Sequence, residues 1–138
     1  MFILKIGDSA SFERTLTDFD VGQFARLTGD FNPIHVSDEA AKESIFGRRI
    51  VHGVLVSSLI STVLAMKLPG PDTIYIEQDS KFLNPVFIGD TVKATVRVDE
   101  ILNKEKGIVK LNSSVVNQEG ITVVSGYSVV KVRKEILE

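Results

Sequence analysis

A chain of 138 residues, 43% hydrophobic and 25% charged, has the composition of an ordinary globular protein and enough length to bury a core. Sixteen basic residues against eighteen acidic ones leave a formal charge of −2, which is not the basic stripe of a nucleic-acid binder. The absence of cysteine excludes disulfide frameworks, thiolate metal sites and a cysteine nucleophile.

The segment Met1–Asp8 lacks the basic start and longer apolar region of a signal peptide. The longest uncharged apolar stretch, Ile50 to Met66, carries His52 and several Ser and Thr residues. It falls short of the roughly 20 apolar residues that span a bilayer. The expectation is a cytoplasmic protein with no membrane contact. No repeat, linker or low-complexity tract divides the chain, so residues 1–138 read as one domain.

In chain order, Ser11 to Leu16 alternates loosely and reads as a strand. Thr17 followed by Asp18 and Asp20 gives a hydroxyl N-cap with acids in the first turn, and Gly29 gives a stop. A helix from about Asp18 to Thr28 follows, with Phe19, Phe24 and Leu27 near one face. Ser37 caps a short helix from Asp38 to Glu43, and Phe46–Arg49 is a loop. From Val51 to about Leu68 the chain has helical length, ending at Pro69-Gly70-Pro71. Its apolar residues run almost all the way round, which predicts a helix enclosed by other structure.

The remainder reads as strands. Thr73–Ile76 leads through Lys81–Leu83 to a turn at Asn84-Pro85. Thr91–Val98 alternates valine with charge at the strand period. Ile108–Val116 and Ile121–Val132 follow turns at Lys104–Gly107 and Asn117–Gly120. Strands joined by short turns predict an antiparallel meander, and with the enclosed helix an α+β fold in which a sheet wraps a helix.

Only two histidines exist, His35 and His52. Asp30, Asn32 and His35 fall between the helix stop and the next cap, with Pro33 fixing its own φ and pushing Asn32 out of helical geometry. The segment is therefore expected to be extended or looped, and its three polar side chains suit gripping a water and exchanging protons. The spacing by itself fits a capping role for Asp30 as well as a catalytic one. Gly53, at the start of the long helix, offers an unbonded N–H at the positive end of the helix dipole. That amide suits developing negative charge on a carbonyl oxygen, although tight packing is the plainer use of the glycine. His52 reads as a packing or capping residue.

Together these residues form a resemblance. Gly29-Asp30-Phe31-Asn32-Pro33-Ile34-His35, followed by Ile50-Val51-His52-Gly53, resembles the signature of MaoC-like R-specific enoyl-CoA hydratases. Phe82-Leu83-Asn84-Pro85-Val86 with Gly89-Asp90 is similar to that family's entry into the sheet, and the match covers approximately Thr17 to Val98.

The resemblance implies a hot-dog fold, an antiparallel β-sheet wrapped around a long central helix. It also implies a homodimer whose sheets join edge to edge, with acyl tunnels near the interface. The implied catalytic pair is Asp30 and His35, with Asn32 the polar residue between them and Gly53 the oxyanion-hole amide. Ser61 resembles a serine that lines the family's active site. Val54-Leu55-Val56 departs from the pattern beside the acyl pocket, which leaves chain-length preference open.

The implied reaction is reversible syn addition of water across a trans-2-enoyl thioester, giving an R-3-hydroxyacyl thioester. CoA or acyl carrier protein enters as part of the substrate, and no separate cofactor is expected. Two histidines without His-x-x-x-His spacing and without cysteine give a metal site little support, and no glycine-rich phosphate loop is present. Arg48 and Arg49 read as a solvated loop rather than a CoA-phosphate contact. The competing readings are a hot-dog thioesterase and a non-catalytic acyl-thioester-binding module.

Overall fold

Alternation of valine with polar residues drives the largest element. In strand β3 (Thr91–Asn103) Val92, Ala94, Val96 and Val98 are buried while Lys93 and Arg97 face outward. The computed structural model describes residues 2–138. Four further strands, β1 (Ser9–Thr15), β2 (Ile74–Phe82), β4 (Ile108–Val116) and β5 (Thr122–Lys131), complete a five-stranded sheet in the order β1-β3-β4-β5-β2. Every pairing is antiparallel.

The expected meander is present as β3-β4-β5. The strand that precedes it in sequence instead crosses to the far edge, where β2 pairs with β5. That leaves β1 and β2 as the two edges.

Helix α4 (Gly53–Met66) packs on one face of the sheet and buries Val56, Leu59, Ile60, Val63 and Leu64 in the core. These meet Val109, Leu111 and Val115 of β4 and Val124 and Val130 of β5 in one core cluster. The enclosure expected of this helix is not complete within the chain. Val54 and Met66 are well exposed, and Ser57 and Ser58 turn their hydroxyls back onto Val54 and Leu55 carbonyls. The helix also starts two residues later than the sequence suggests. Val51 donates to the Val86 carbonyl at 2.7 Å and His52, at ψ 127, is the N-cap.

On the outer side, α1 (Asp18–Thr28) opens with a capping box in which Thr17 and Asp20 each bond the other's backbone N–H. The Thr17 amide, aided by Arg14 at 2.7 Å, holds the Asp20 carboxyl below its usual range. Val21 and Ala25, four residues apart, are the buried pair of this helix, while Phe19 and Leu27 project into solvent, contrary to the face read from the sequence. Phe24 flanks the buried stripe and turns toward the start of α4. Two short helices, α2 (Pro33–Val36) and α3 (Asp38–Lys42), connect α1 to α4.

Strands β2 and β5 approach closely at Gly126, where an added Cβ would lie 1.8 Å from the Asp79 carbonyl oxygen of β2. Gly126→Ala must therefore push β2 away from β5. We expect a loss of about 1–3 kcal/mol of stability, the usual range for an overpacked interior. Thermal denaturation measures it, and an unchanged melting temperature would contradict this account of the β2–β5 contact.

Candidate active site

The site begins where α1 stops. Gly29 takes the left-handed conformation at φ 80°, its N–H reaching the Ala25 carbonyl at 2.8 Å, and turns the chain off the helix axis. Asp30 then accepts from the Asn32 amide at 3.2 Å, and Asn32 accepts from the Ile34 amide at 3.3 Å. Asn32 thus caps α2, with Pro33 in its first turn. The extended geometry expected of the whole segment holds at Asn32 (φ −50°, ψ 124°), whereas Pro33 to Val36 forms a single helical turn. The physical reason is that proline disfavours a helical residue before it but has a φ already suited to starting a helix.

This turn carries His35 inward, where it is 8% exposed. Its Nδ1 lies 2.8 Å from the Ile50 carbonyl oxygen. A carbonyl only accepts, so Nδ1 carries a proton, and in the neutral ring Nε2 then presents a lone pair. His52 is buried, with Nε2 donating to the Asp30 backbone oxygen at 3.0 Å. The two imidazoles stack with centroids 3.9 Å apart and planes 30° from parallel, and Phe24 packs on the His52 ring at 4.7 Å. One ligand-type atom from each of Asp30, His35 and His52 falls within 4.8 Å of the others. Their donor types suit a cation, but one nitrogen of each ring is already committed to a carbonyl.

Gly53 follows immediately as the first residue of α4. Its N–H is one of those a helix leaves free, and among the described residues no backbone carbonyl accepts it. Beside it lies a cavity of about 320 Å³ walled mainly by Val51, Val56, Phe82, Val86 and Val124. The Asp30 carboxylate and the His35 ring thus cluster around His52, the residue before Gly53, and of these residues Gly53 alone lines the apolar cavity. Such an arrangement can move a proton and stabilise an oxyanion.

Residues 4–120 match the family described as MaoC like domain. The chain belongs to the MaoC-like family. It is 41% identical over 129 residues to an (R)-specific enoyl-CoA hydratase of Rhodospirillum rubrum, covering 94% of this chain and 88% of that one. An (R)-specific enoyl-CoA hydratase of Aeromonas caviae is 40% identical, with 93% of this chain and 95% of the relative covered. The solved structure of the (R)-hydratase from A. caviae involved in PHA biosynthesis superposes with a TM-score of 0.90 at 39% identity, covering 94% of this chain and 98% of that one. The sheet and its helix are accordingly the hot-dog fold expected from the sequence.

In this MaoC-like chain two residues have positions that sequence reasoning did not anticipate. Arg49 is not a solvated loop residue. Its Nε donates to the His35 carbonyl at 2.7 Å, and its guanidinium meets Asp18 at 2.6 Å and Asp38 at 3.7 Å. It ties α1, α2 and α3 together behind the site. Arg48 lies over the Phe87 ring at 3.8 Å. His52, read as a packing or capping residue, touches both Asp30, at its backbone oxygen, and the His35 ring. A basic pair in the loop leading to the central helix was the available signal for Arg49, but no local pattern names a partner 31 residues away.

Ser61 does not join the cluster. It lies eight residues beyond Gly53, about 12 Å along the helix, and lines a separate hollow with Ser57, Ser58, Tyr75 and Gln78.

Lysine at position 49 keeps the charge but cannot bond a carbonyl and a carboxylate from one planar fork. Arg49→Lys is expected to cost about 1–3 kcal/mol, the range for leaving partners of a charged hydrogen bond unmet. Denaturant titration checks this, and native stability in the variant would show the brace to be dispensable.

Proposed function

We propose that this protein adds water reversibly across the double bond of trans-2-enoyl thioesters, giving R-3-hydroxyacyl thioesters. The observation that carries the reading is the pinned His35 ring. Its Nδ1–H is committed to the Ile50 carbonyl, so Nε2 is poised as a base in the same cluster as the Asp30 carboxylate. The names of its relatives, among them a 3-hydroxybutyryl-CoA dehydratase of Methylorubrum extorquens at 39% identity, support the same chemistry.

In this reading one water sits between Asp30 and His35, one hydrogen directed at the carboxylate and the other at Nε2. The thioester oxygen bonds the Gly53 N–H, which draws electrons from the double bond and leaves the β-carbon electrophilic. Water oxygen bonds the β-carbon as its proton passes to Nε2, and the π electrons move onto the thioester oxygen. The imidazolium then returns that proton to the α-carbon, and the enolate collapses to the thioester. Delivery of oxygen and hydrogen from one assembly gives syn addition. Nothing is oxidised or reduced, so the residues and the thioester suffice. CoA or acyl carrier protein is the carrier, and Asn32, whose oxygen caps α2, keeps its amide NH2 for the water.

The active assembly is a homodimer. Strand β2 is an unpaired edge nine residues long that exposes Ile74, Tyr75 and Ile76, a liability that soluble proteins ordinarily cover. The exposed Val54 of α4 lines, with Ser57, Ser58 and Ser61, a hollow shared with Tyr75 and Ile76 of that strand. A second copy placed there covers both, and Ser61 then borders the acyl path.

The test is to follow crotonyl-CoA by loss of enoyl-thioester absorbance while assaying free thiol in parallel. Absorbance loss without thiol release is expected. Thiol release at the same rate would make the protein a thioesterase, and binding without either would make it a carrier module.

A further inference from the structure

The mechanism above uses Asp30, His35 and Gly53 but leaves unexplained why a second histidine is buried between them. His52 is 2% exposed, and its Nδ1 is buried without a hydrogen-bond partner among the described residues. An unmet buried polar atom is unfavourable, and a leucine or phenylalanine would occupy the same space without that cost. Packing alone therefore gives no reason for histidine here. Nor does capping, since the side chain bonds no amide of α4.

The other contacts of the ring supply the reason. Its Nε2–H holds the Asp30 backbone oxygen at 3.0 Å, and its face lies 3.9 Å from the His35 ring. Asp30 sits on an exposed turn, and its backbone N–H is met only weakly, by the Thr28 hydroxyl at 3.3 Å. His35 is held at its edge by the Ile50 carbonyl and at its face by His52. His52 itself is fixed as the residue immediately before Gly53, at the N-cap of α4. One ring thus joins the acid, the base and the helix start that carries the oxyanion amide.

We propose that His52 is a positioning residue, clamping the Asp30 backbone against the face of His35 and setting both relative to Gly53. It touches neither substrate nor water in this role. This inference rests on the assignment of Asp30 and His35 as the catalytic pair.

The clamp needs a donor at the Nε2 position, and side-chain amides distinguish that position from the other ring nitrogen. Glutamine places its NH2 near where histidine has Nε2, whereas asparagine reaches only as far as Nδ1. Phenylalanine keeps the ring face and the volume but has no donor. The experiment is steady-state hydration by purified full-length His52→Gln, His52→Asn and His52→Phe, with melting temperatures, alongside Asp30→Asn.

His52→Asn and His52→Phe are expected to lose about 10- to 100-fold in kcat with KM within about twofold, the scale of loss when reacting groups are misplaced by an ångström. His52→Gln is expected to keep kcat within about fivefold of the parent, because the donor is restored. Should phenylalanine fail to fold, the glutamine–asparagine pair still decides the matter. Equal activity in those two variants would overturn the clamp, as would a loss confined to KM. If Asp30→Asn is inactive while His52→Asn matches the parent, the His52 inference alone fails. If Asp30→Asn is itself fully active, the catalytic assignment fails and the clamp with it.

Discussion

Asp30→Asn and His35→Gln are each expected to fold normally and to hydrate enoyl thioesters at least about a hundredfold more slowly, the lower end of what a general acid–base group contributes. The structure gives each substitution a specific meaning. Asn at position 30 can still accept from the Asn32 amide, as Asp30 does at 3.2 Å, so the turn is retained while the negative charge on the water is lost. Gln at position 35 can sit in the same pocket but has no basic nitrogen to replace Nε2. In the proposed mechanism the two groups act on one water, so removing both should cost little more than removing either, since members of a catalytic unit are grossly non-additive. Rates of the two single variants and the double variant measure this. A folded Asp30→Asn protein with near-native hydration would remove Asp30 from the mechanism.

The second large effect concerns the amide of Gly53. Proline there removes the N–H and little else of the backbone. It would stand at the first position of α4, where proline is well tolerated, and the preceding residue, His52, already has ψ 127°, which a following proline requires. The complication is steric, since any Cβ at this position lies 2.9 Å from Phe82 Cδ1. Gly53→Ala adds the same Cβ and retains the N–H, so it serves as the control. Gly53→Pro is expected to fall below Gly53→Ala by about 10²–10³ in kcat, the usual loss of one oxyanion donor. Equal rates in the two variants would show that this amide does not carry the negative charge.

Much of this architecture was legible before any coordinates. The β3 and β4 cores follow from period-two valine patterns, and α1 from Thr17, Asp20 and Gly29, because these are local signals with local causes. Asp30, His35 and Gly53 could be singled out as candidates because a proline, a helix stop and a helix start fix where their backbones lie, while the roles proposed for them come from the resemblance to MaoC-like hydratases. Less legible was anything that depends on partners distant in sequence. The crossing of β2 to the β5 edge leaves no trace in the strand itself. Nor does the sequence distinguish Val21 and Ala25 as the buried pair from the larger Phe19 and Leu27. The apolar girth of α4 suggested full enclosure, yet one face stays open in the single chain, as expected if a second copy completes it. The partners of Arg49 and His52 were illegible for a related reason, since each bonds a backbone carbonyl, which carries no residue identity and so leaves no motif.

The most direct test of the account is the configuration of the hydration product. Crotonyl-CoA incubated with the purified protein, followed by hydrolysis of the product and chiral chromatography, should yield R-3-hydroxybutyrate and only a trace of the S isomer. A predominantly S or racemic product would contradict delivery of water from the Asp30–His35 side with the carbonyl anchored on Gly53.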